Sequence, residues 1–206
     1  MRRLMVLAAL ALVAAAPYPE NDLRGLRVGM TQAELPTDGF ANFRCADGGA
    51  EISGWADWRR CKADSQGRHD VRFDYSQGRT IVGGHPVVLT AGFAADGRLA
   101  ELGIVTDSSA PLFLRKKAFM LAKQARSRYG DEGWSCRSLP PDATAEPVGG
   151  VFIRETCRKL LSDRALVVEC NLFRRPGTEL RAFIGESRIT ITALPKPATL
   201  GSRLPD

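Results

Sequence analysis

The five cysteines of this 206-residue sequence constrain its fold most, because they fall into two close pairs and one single residue. Cys45 and Cys61 enclose a segment with two tryptophans, and Cys136 and Cys157 enclose a proline-rich one. Each bridge would close a loop of about 20 residues, which restricts the unfolded chain by roughly 3 kcal/mol in the entropy model. Pairing of Cys170 with Cys136 or Cys157 stays open, because spacing does not fix connectivity. We predict disulfides Cys45–Cys61 and Cys136–Cys157, with Cys170 a free thiol pointing into the core.

The N-terminus reads as an export signal. Arg2 and Arg3 precede an unbroken apolar run over residues 4–15, and Val13-Ala14-Ala15 fits the small-residue cleavage rule. This run is too short to span a bilayer comfortably, since a spanning helix needs about 20 residues. We therefore predict a signal peptide over residues 1–15 and a periplasmic or secreted protein, where an oxidising environment favours disulfides. A retained membrane anchor is the alternative.

The charge balance argues against nucleic acid as a partner. The chain has 29 basic and 23 acidic residues, and loss of Arg2 and Arg3 with the signal peptide leaves 27 against 23. This mild excess is dispersed, without the basic tract or interleaved aromatic residues of nucleic-acid-binding proteins. We expect no nucleic-acid partner, and no span of the membrane after signal removal, because no other stretch is apolar enough.

A basic amphipathic helix is predicted over residues 111–129. Ser109 would cap its first turn, Pro111 suits that turn, and Gly130 follows as a residue free to turn left-handed. The apolar positions at helical spacing are Leu114, Ala118, Leu121, Ala122, Ala125 and Tyr129. The charged back would either be solvated or dock an acidic partner or anionic lipid. The partner-binding residues predicted on this second interpretation are Arg115, Lys116, Lys123 and Arg126.

Alternating apolar residues predict strands on both sides of this helix. In the first half they follow a short helix that Thr31 and Glu34 would open as a capping box. The predicted strand segments are residues 71–75, 87–93, 102–106, 151–158, 165–173, 180–184 and 188–193. The same order of helix, cysteine, strand with cysteine and hairpin in both halves predicts a duplication. We expect an α+β fold, a disulfide-stapled tandem of two helix-plus-antiparallel-sheet units over residues 16–107 and 108–194, with a flexible tail over 195–206.

The motif VGMTQAEL at residues 28–35, followed by Cys45 and Cys61, resembles the opening of the repeats in the β-lactamase-inhibitor-protein-like group. The same opening occurs in small outer-membrane assembly lipoproteins of the SmpA/OmlA type. The resemblance implies a tandem α+β fold with one disulfide in each unit, and binding rather than catalysis.

Candidates for catalysis are few. The sequence has two histidines, His69 and His85, and His85 stands in a Gly-Gly-His-Pro turn whose glycines bring the backbone close to whatever lies nearby. Neither a metal-ligand spacing nor a phosphate-binding loop is present, so we expect no cofactor. We predict an exported, non-catalytic binding or scaffold module for an envelope protein, peptidoglycan or an anionic lipid surface. The alternative is an envelope hydrolase that uses His85 with a nearby carboxylate or hydroxyl.

Overall fold

In a computed structural model, which describes residues 19–195, the strands form one antiparallel sheet. The strands of the described residues are β1 (Phe40–Cys45), β2 (His69–Tyr75), β3 (Ile81–Val82), β4 (His85–Phe93), β5 (Leu99–Thr106), β6 (Ser135–Ser138), β7 (Ile153–Leu160), β8 (Arg164–Arg174) and β9 (Phe183–Ala193). The helices are α1 (Leu112–Lys116), α2 (Phe119–Arg128) and two 3-10 helices, Gln32–Glu34 and Trp55–Arg60. The predicted signal peptide and the predicted tail beyond Pro195 lie outside the described residues.

The spatial order of the strands is β1-β2-β4-β5-β9-β8-β7-β6, and β3 pairs with the start of β4. The two halves of the chain therefore meet in the pairing of β5 with β9, where Leu102 lies opposite Ile191 and Ile104 opposite Ile189. Among residues 19–195, strands and isolated bridges account for 44% of the residues and helices for 14%, so the fold is mostly antiparallel β rather than the predicted α+β. The predicted tandem of two helix-plus-sheet units is wrong, because the main chains of β5 and β9 pair into a single sheet.

One face of this sheet is buried and the other is open. In β2, β4 and β8 the residues alternate between buried and half-exposed along each strand, as expected for a sheet covered on one side. The buried positions include Phe73, Leu89, Leu102, Leu166 and Ile189. We call the opposite side, which carries the alternate half-exposed residues, the open face.

The first half of the buried face is covered by aromatic residues. The 3-10 helix Trp55–Arg60 places both of its tryptophans on the sheet, where each is at most 3% exposed. The Trp55 ring lies 4.9 Å from Phe73, and the Trp58 ring stacks at 5.6 Å on Phe93, measured between centroids. The Cys45–Cys61 disulfide ties the end of this helix to β1 and confirms the first predicted pairing.

The second half is covered by α2, which buries Leu121, Ala122 and Ala125. The Cys136–Cys157 disulfide joins directly opposite positions of β6 and β7, and so confirms the second predicted pairing. Cys170 is a free, buried thiol on β8, also as predicted.

The single helix predicted over residues 111–129 is broken at Lys117 and Ala118. At this point the two amide groups bond to carbonyls only three residues back, those of Leu114 and Arg115, so the chain is locally tightened. The carbonyl oxygen of Ala118 accepts a 2.8 Å hydrogen bond from the buried hydroxyl of Ser187 on β9. This tertiary contact has no counterpart in the helical spacing of the sequence.

The predicted end of the helix is confirmed and its predicted start is wrong. Gly130 has a φ of +81°, the left-handed conformation expected just past a helix end. Ser109 does not cap the helix, because its hydroxyl donates to Asp107 at 2.8 Å and Pro111 stands at the cap position.

A bulge interrupts the edge strand β1. Its register against β2 shifts between Ala41 and Arg44, and Asn42 within the shift has a φ of +53°. Further toward the N-terminus, the predicted capping box is present, with the Thr31 amide donating to the Glu34 carboxylate at 2.6 Å. The helix that it opens is a single 3-10 turn.

Candidate functional site: a pocket between the two halves of the sheet

A pocket of about 400 Å³ lies above the junction of the two halves, beside α2. Its floor is made by Ile104 of β5 and by Ile189 and Ile191 of β9, the strands that join the halves. The space lies between α2 on the second half and the β3–β4 hairpin with Tyr75 on the first half. The volume and apolar floor are typical of small-ligand sites, which range from about 300 to 1,000 Å³.

The walls of the pocket come from α2 and from the β3–β4 hairpin. Leu121 and Ala125 line it from the helix, and Ile81 and Val82 from the hairpin. Tyr75 at the end of β2 also contributes.

The turn of this hairpin closes one side of the pocket. Gly83 and Gly84 have φ values of +57° and +82°, as a two-residue turn with both central residues left-handed requires. A Cβ atom on Gly83 would lie 1.8 Å from Oε1 of Gln124, so a larger residue would require the end of the Gln124 side chain on α2 to move. The close approach expected from the glycine pair is therefore an approach to α2.

Two arginines stand at the rim of the pocket, Arg24 and Arg128. The Arg24 guanidinium lies 3.6 Å from the centroid of the Tyr75 ring, which is a cation–π contact. The backbone of Arg24 has a φ of +44°. Arg128 donates to the backbone carbonyl of Asn21 at 2.8 Å. Within residues 19–195 neither arginine forms an ion pair with a carboxylate. The rim therefore carries two positive charges that no acidic side chain of the described segment pairs with.

A buried polar network closes the inner end of the pocket. The Asp22 carboxylate, 4% exposed, accepts hydrogen bonds from the Tyr129 hydroxyl at 2.8 Å and from the Val28 amide at 2.9 Å. It also pairs with the buried Arg164 guanidinium of β8. Burial, together with the adjacent Asp22 charge, raises the pKa of Tyr129 far above its ordinary value. Tyr129 is therefore a neutral hydrogen-bond donor and not a base near neutral pH.

The four predicted partner-binding residues lie away from this pocket. Arg115 donates to the Phe183 carbonyl at 2.6 Å, and Arg126 lies 3.5 Å from the Glu155 carboxylate, so the sheet engages both. Lys116 and Lys123 are exposed. Their contact with an anionic partner stays a prediction.

His85 is buried, and burial lowers its pKa below the ordinary value. Over the described part of the chain it forms no hydrogen bond to a carboxylate or hydroxyl, the contact that a hydrolytic pair needs. His69 is engaged elsewhere, with its Nδ1 atom 2.6 Å from the Cys61 carbonyl.

One cluster of the described residues has metal-ligand types close together, namely Cys136, Glu155 and Cys157. Both of its sulfur atoms are joined in the second disulfide, so they do not provide thiolate ligands. We assign no metal to this cluster.

The sequence prediction missed the rim arginines and the pocket itself. Arg128 falls within the predicted basic helix but is not among its four predicted binding residues, and no local pattern in the sequence marks Arg24. The one local signal was the Gly83-Gly84 pair, which marked a close approach without naming its partner.

No family model, curated protein or solved structure matches the chain. Among residues 19–195, no helix combines the length and apolar character needed to cross a membrane.

Proposed function

We propose that the protein is an exported, non-catalytic binding protein whose ligand is an anionic amphiphile. The apolar chain of the ligand enters the pocket at the β5–β9 junction, and its acidic group lies between Arg24 and Arg128. The observation that carries this proposal is a largely apolar cavity whose mouth holds two guanidinium groups, neither of which has a carboxylate partner among residues 19–195.

The lining favours an anionic lipid over the other two partners expected from the sequence. Ile, Leu and Val make up seven of the sixteen residues that line the pocket, and burial against such side chains gains about 0.8 kcal/mol for each ligand CH₂ group removed from water. A peptidoglycan fragment is rich in hydroxyl and amide groups, which lose hydrogen bonds with water in such a lining. A folded protein partner needs an extended surface rather than a cavity.

The charges at the mouth select the head group. A guanidinium group binds carboxylate or phosphate oxygens through paired N–H donors, and it stays charged at all ordinary pH values. An amine head group would meet like charge. Export is supported by the two disulfides and by the leader pattern in the sequence.

The test is calorimetric titration of the signal-free protein with dodecanoate below its micelle concentration. Dodecanoate is expected to bind and dodecylamine is not. Arg24→Gln and Arg128→Gln should each weaken binding by about tenfold, the effect of losing one charge-assisted contact. Val82→Trp should block the chain site while leaving both arginines in place.

Arg158→Gln is the matched control, because Arg158 is an exposed arginine of β7 outside the pocket. It should bind dodecanoate as the unaltered protein does. Equal affinity for dodecylamine and dodecanoate, or unchanged binding in both rim variants, would contradict the proposal.

A further inference from the structure

A second pocket, of about 470 Å³, lies at the end of β2 and is lined by three arginines, Arg44, Arg72 and Arg79. We call it the arginine pocket. Its wall is completed by the turn at residues 78–80 and by residues 107–111, which follow β5. Arg24 and Arg128 do not line it, although Tyr75 contributes to the walls of both pockets.

Strand pairing brings two of these arginines together. Arg44 of β1 lies directly opposite Arg72 of β2, on the open face. Like charges at opposed positions of an antiparallel pair repel each other, so this arrangement destabilises the sheet unless something compensates it. Arg44 has a loose partner, because its guanidinium lies 3.8 Å from the Asp74 carboxylate.

Arg72 lacks any such compensation. Its Nε atom is shielded from water and has no hydrogen-bond partner in the described part of the chain. Among the described residues, no carboxylate lies within ion-pair distance of Arg72. Partial removal of a cation from water is unfavourable unless an acceptor replaces the water, so this side chain is suited to bind an anion.

The acidic residues of the pocket are already bound by neutral donors. Asp74 accepts from the Asn42 amide at 3.3 Å and from the Thr80 hydroxyl at 3.4 Å. Asp107 accepts from the backbone amide and the hydroxyl of Ser109, each at 2.8 Å. Arg79 is exposed and, like Arg72, forms no ion pair among residues 19–195. With three arginines against two aspartates, the lining of the pocket carries a net charge of +1.

We propose that the arginine pocket binds a phosphate group, either inorganic phosphate or the phosphate of a lipid head group. Three guanidinium groups offer paired donors to several oxygens of one phosphate, whereas a carboxylate has only two oxygens to share among them. The terminal nitrogens of Arg72 and Arg79 are the principal donors, and Arg44 contributes from β1. This inference does not rest on the amphiphile proposal, because the two sites use different arginines.

The experiment is calorimetric titration of the signal-free protein with inorganic phosphate at neutral pH and low ionic strength, with acetate as the comparison anion. Phosphate is expected to bind more tightly than acetate. Arg72→Gln and Arg79→Gln should each raise the phosphate dissociation constant by about tenfold. The phosphate dissociation constant of Arg72→Lys should lie between those of the unaltered protein and Arg72→Gln, since lysine keeps the charge and loses the paired donors.

Arg158→Gln is again the matched control. Arg158 lies in the same row of opposed residues as Arg72, through Thr90, Gly103, Thr190 and Val167, but at the far side of the sheet. Arg158→Gln removes the same charge from the same face. It should change the phosphate dissociation constant by less than about twofold, because five strand spacings of about 4.8 Å separate the two arginines and charges that far apart interact weakly across water. Thermal unfolding of each variant checks the fold, and Arg79→Gln alters only an exposed turn residue.

Sedimentation with vesicles of phosphatidic acid in phosphatidylcholine, against phosphatidylcholine alone, distinguishes the two sources. Phosphatidic-acid binding that depends on Arg72 would assign a lipid head group, and binding of inorganic phosphate without vesicle binding would assign the free ion. The proposal is overturned if neither form binds, if acetate binds as tightly as phosphate, or if Arg158→Gln weakens binding as much as Arg72→Gln.

Discussion

The two halves of the sheet bury the same kind of face by different means. Over the first half, Trp55 and Trp58 on a six-residue 3-10 helix pack against Phe73 and Phe93. Over the second half, α2 contributes small aliphatic residues such as Leu121. The first cover is aromatic with little regular backbone, and the second is helical with small side chains.

The comparison shows how side-chain size decides the amount of backbone that a cover needs. An aromatic side chain buries about 150–250 Å², so two tryptophans on a short helix cover several strands. Leu121, Ala122 and Ala125 of α2 cover less of the sheet than the two tryptophans do. The second half adds polar contacts that fix α2 in place. These contacts include Ser187 to the Ala118 carbonyl and Lys159 to the carbonyls of Gly130 and Glu132.

Removal of an aromatic residue from the first cover should have the largest effect. Trp58→Ala is expected to lower the free energy of unfolding by about 4 kcal/mol, since Trp58 is 2% exposed and leaves a large cavity. Urea denaturation followed by circular dichroism measures this. Lys62→Ala, at an exposed position nearby, should change it by less than about 0.5 kcal/mol. A small effect of Trp58→Ala would refute the idea that the aromatic residues hold the first half.

Removal of a helix residue from the second cover should have the next largest effect. Leu121→Ala is expected to lower the free energy of unfolding by about 3 kcal/mol, because Leu121 is 2% exposed. Met120→Ala, at a residue that is 41% exposed, serves as the control and should have little effect. Because β5 and β9 join the halves, Leu121→Ala and Trp58→Ala should shift the same single transition. Two separate transitions in either variant would break the comparison, since the halves would then unfold independently.

The polar anchoring of the second half is tested at Lys159. Its Nζ atom donates to the carbonyls of Tyr129, Gly130 and Glu132, at the C-terminal end of α2. Lys159→Met keeps the length of the side chain but leaves those carbonyls without their donor, and should cost about 2 kcal/mol of stability. Lys123→Met, on the exposed side of α2, should leave stability nearly unchanged. Equal effects in the two variants would show that α2 is held by apolar packing alone.

The smallest expected effect concerns acid. His85 in the first half is buried, and burial lowers its pKa below the unfolded value of about 6.5. The unfolded chain therefore binds a proton first, so stability falls as the pH drops below about 6.5 toward the folded pKa. His85→Gln should reduce this slope by at most about 1.4 kcal/mol per pH unit, the limit for one proton.

Urea unfolding between pH 7 and pH 5.5 measures the slope. By contrast, the buried cations of the second half, Lys159 and Arg164, have oxygen partners. If the unaltered protein and His85→Gln show the same slope of unfolding free energy against pH, His85 does not make the first half more sensitive to acid than the second.

Local patterns in the sequence were enough to place most of the strands and both disulfides. Strands such as β2 and β8 alternate because one face is buried, and that alternation is visible in single residues. The cysteine pairs are close in the chain, so the loops that they close are short. These features depend on nearby residues, and they were predicted for that reason.

Features that depend on distant residues were not predicted. The pairing of β5 with β9 joins residues more than eighty positions apart through backbone atoms, which leave no mark in the side-chain pattern. The break in the central helix depends on Ser187, and the place of Arg24 at the pocket rim depends on Tyr75. The candidate site is built almost entirely from such contacts, so the sequence could not locate it, and the binding role that the sequence predicts stays a prediction.

The bulge at Asn42 also bears on how copies of the protein behave when they are concentrated. An open sheet ends in two strands whose outer backbone groups are free to pair with a neighbour and start a polymer. Here the left-handed turn of the chain at Asn42 breaks the regular spacing of donors and acceptors along β1, and β6 at the other edge has only four residues. Neither edge strand offers a long straight template, and this disfavours edge-to-edge pairing between copies of the sheet.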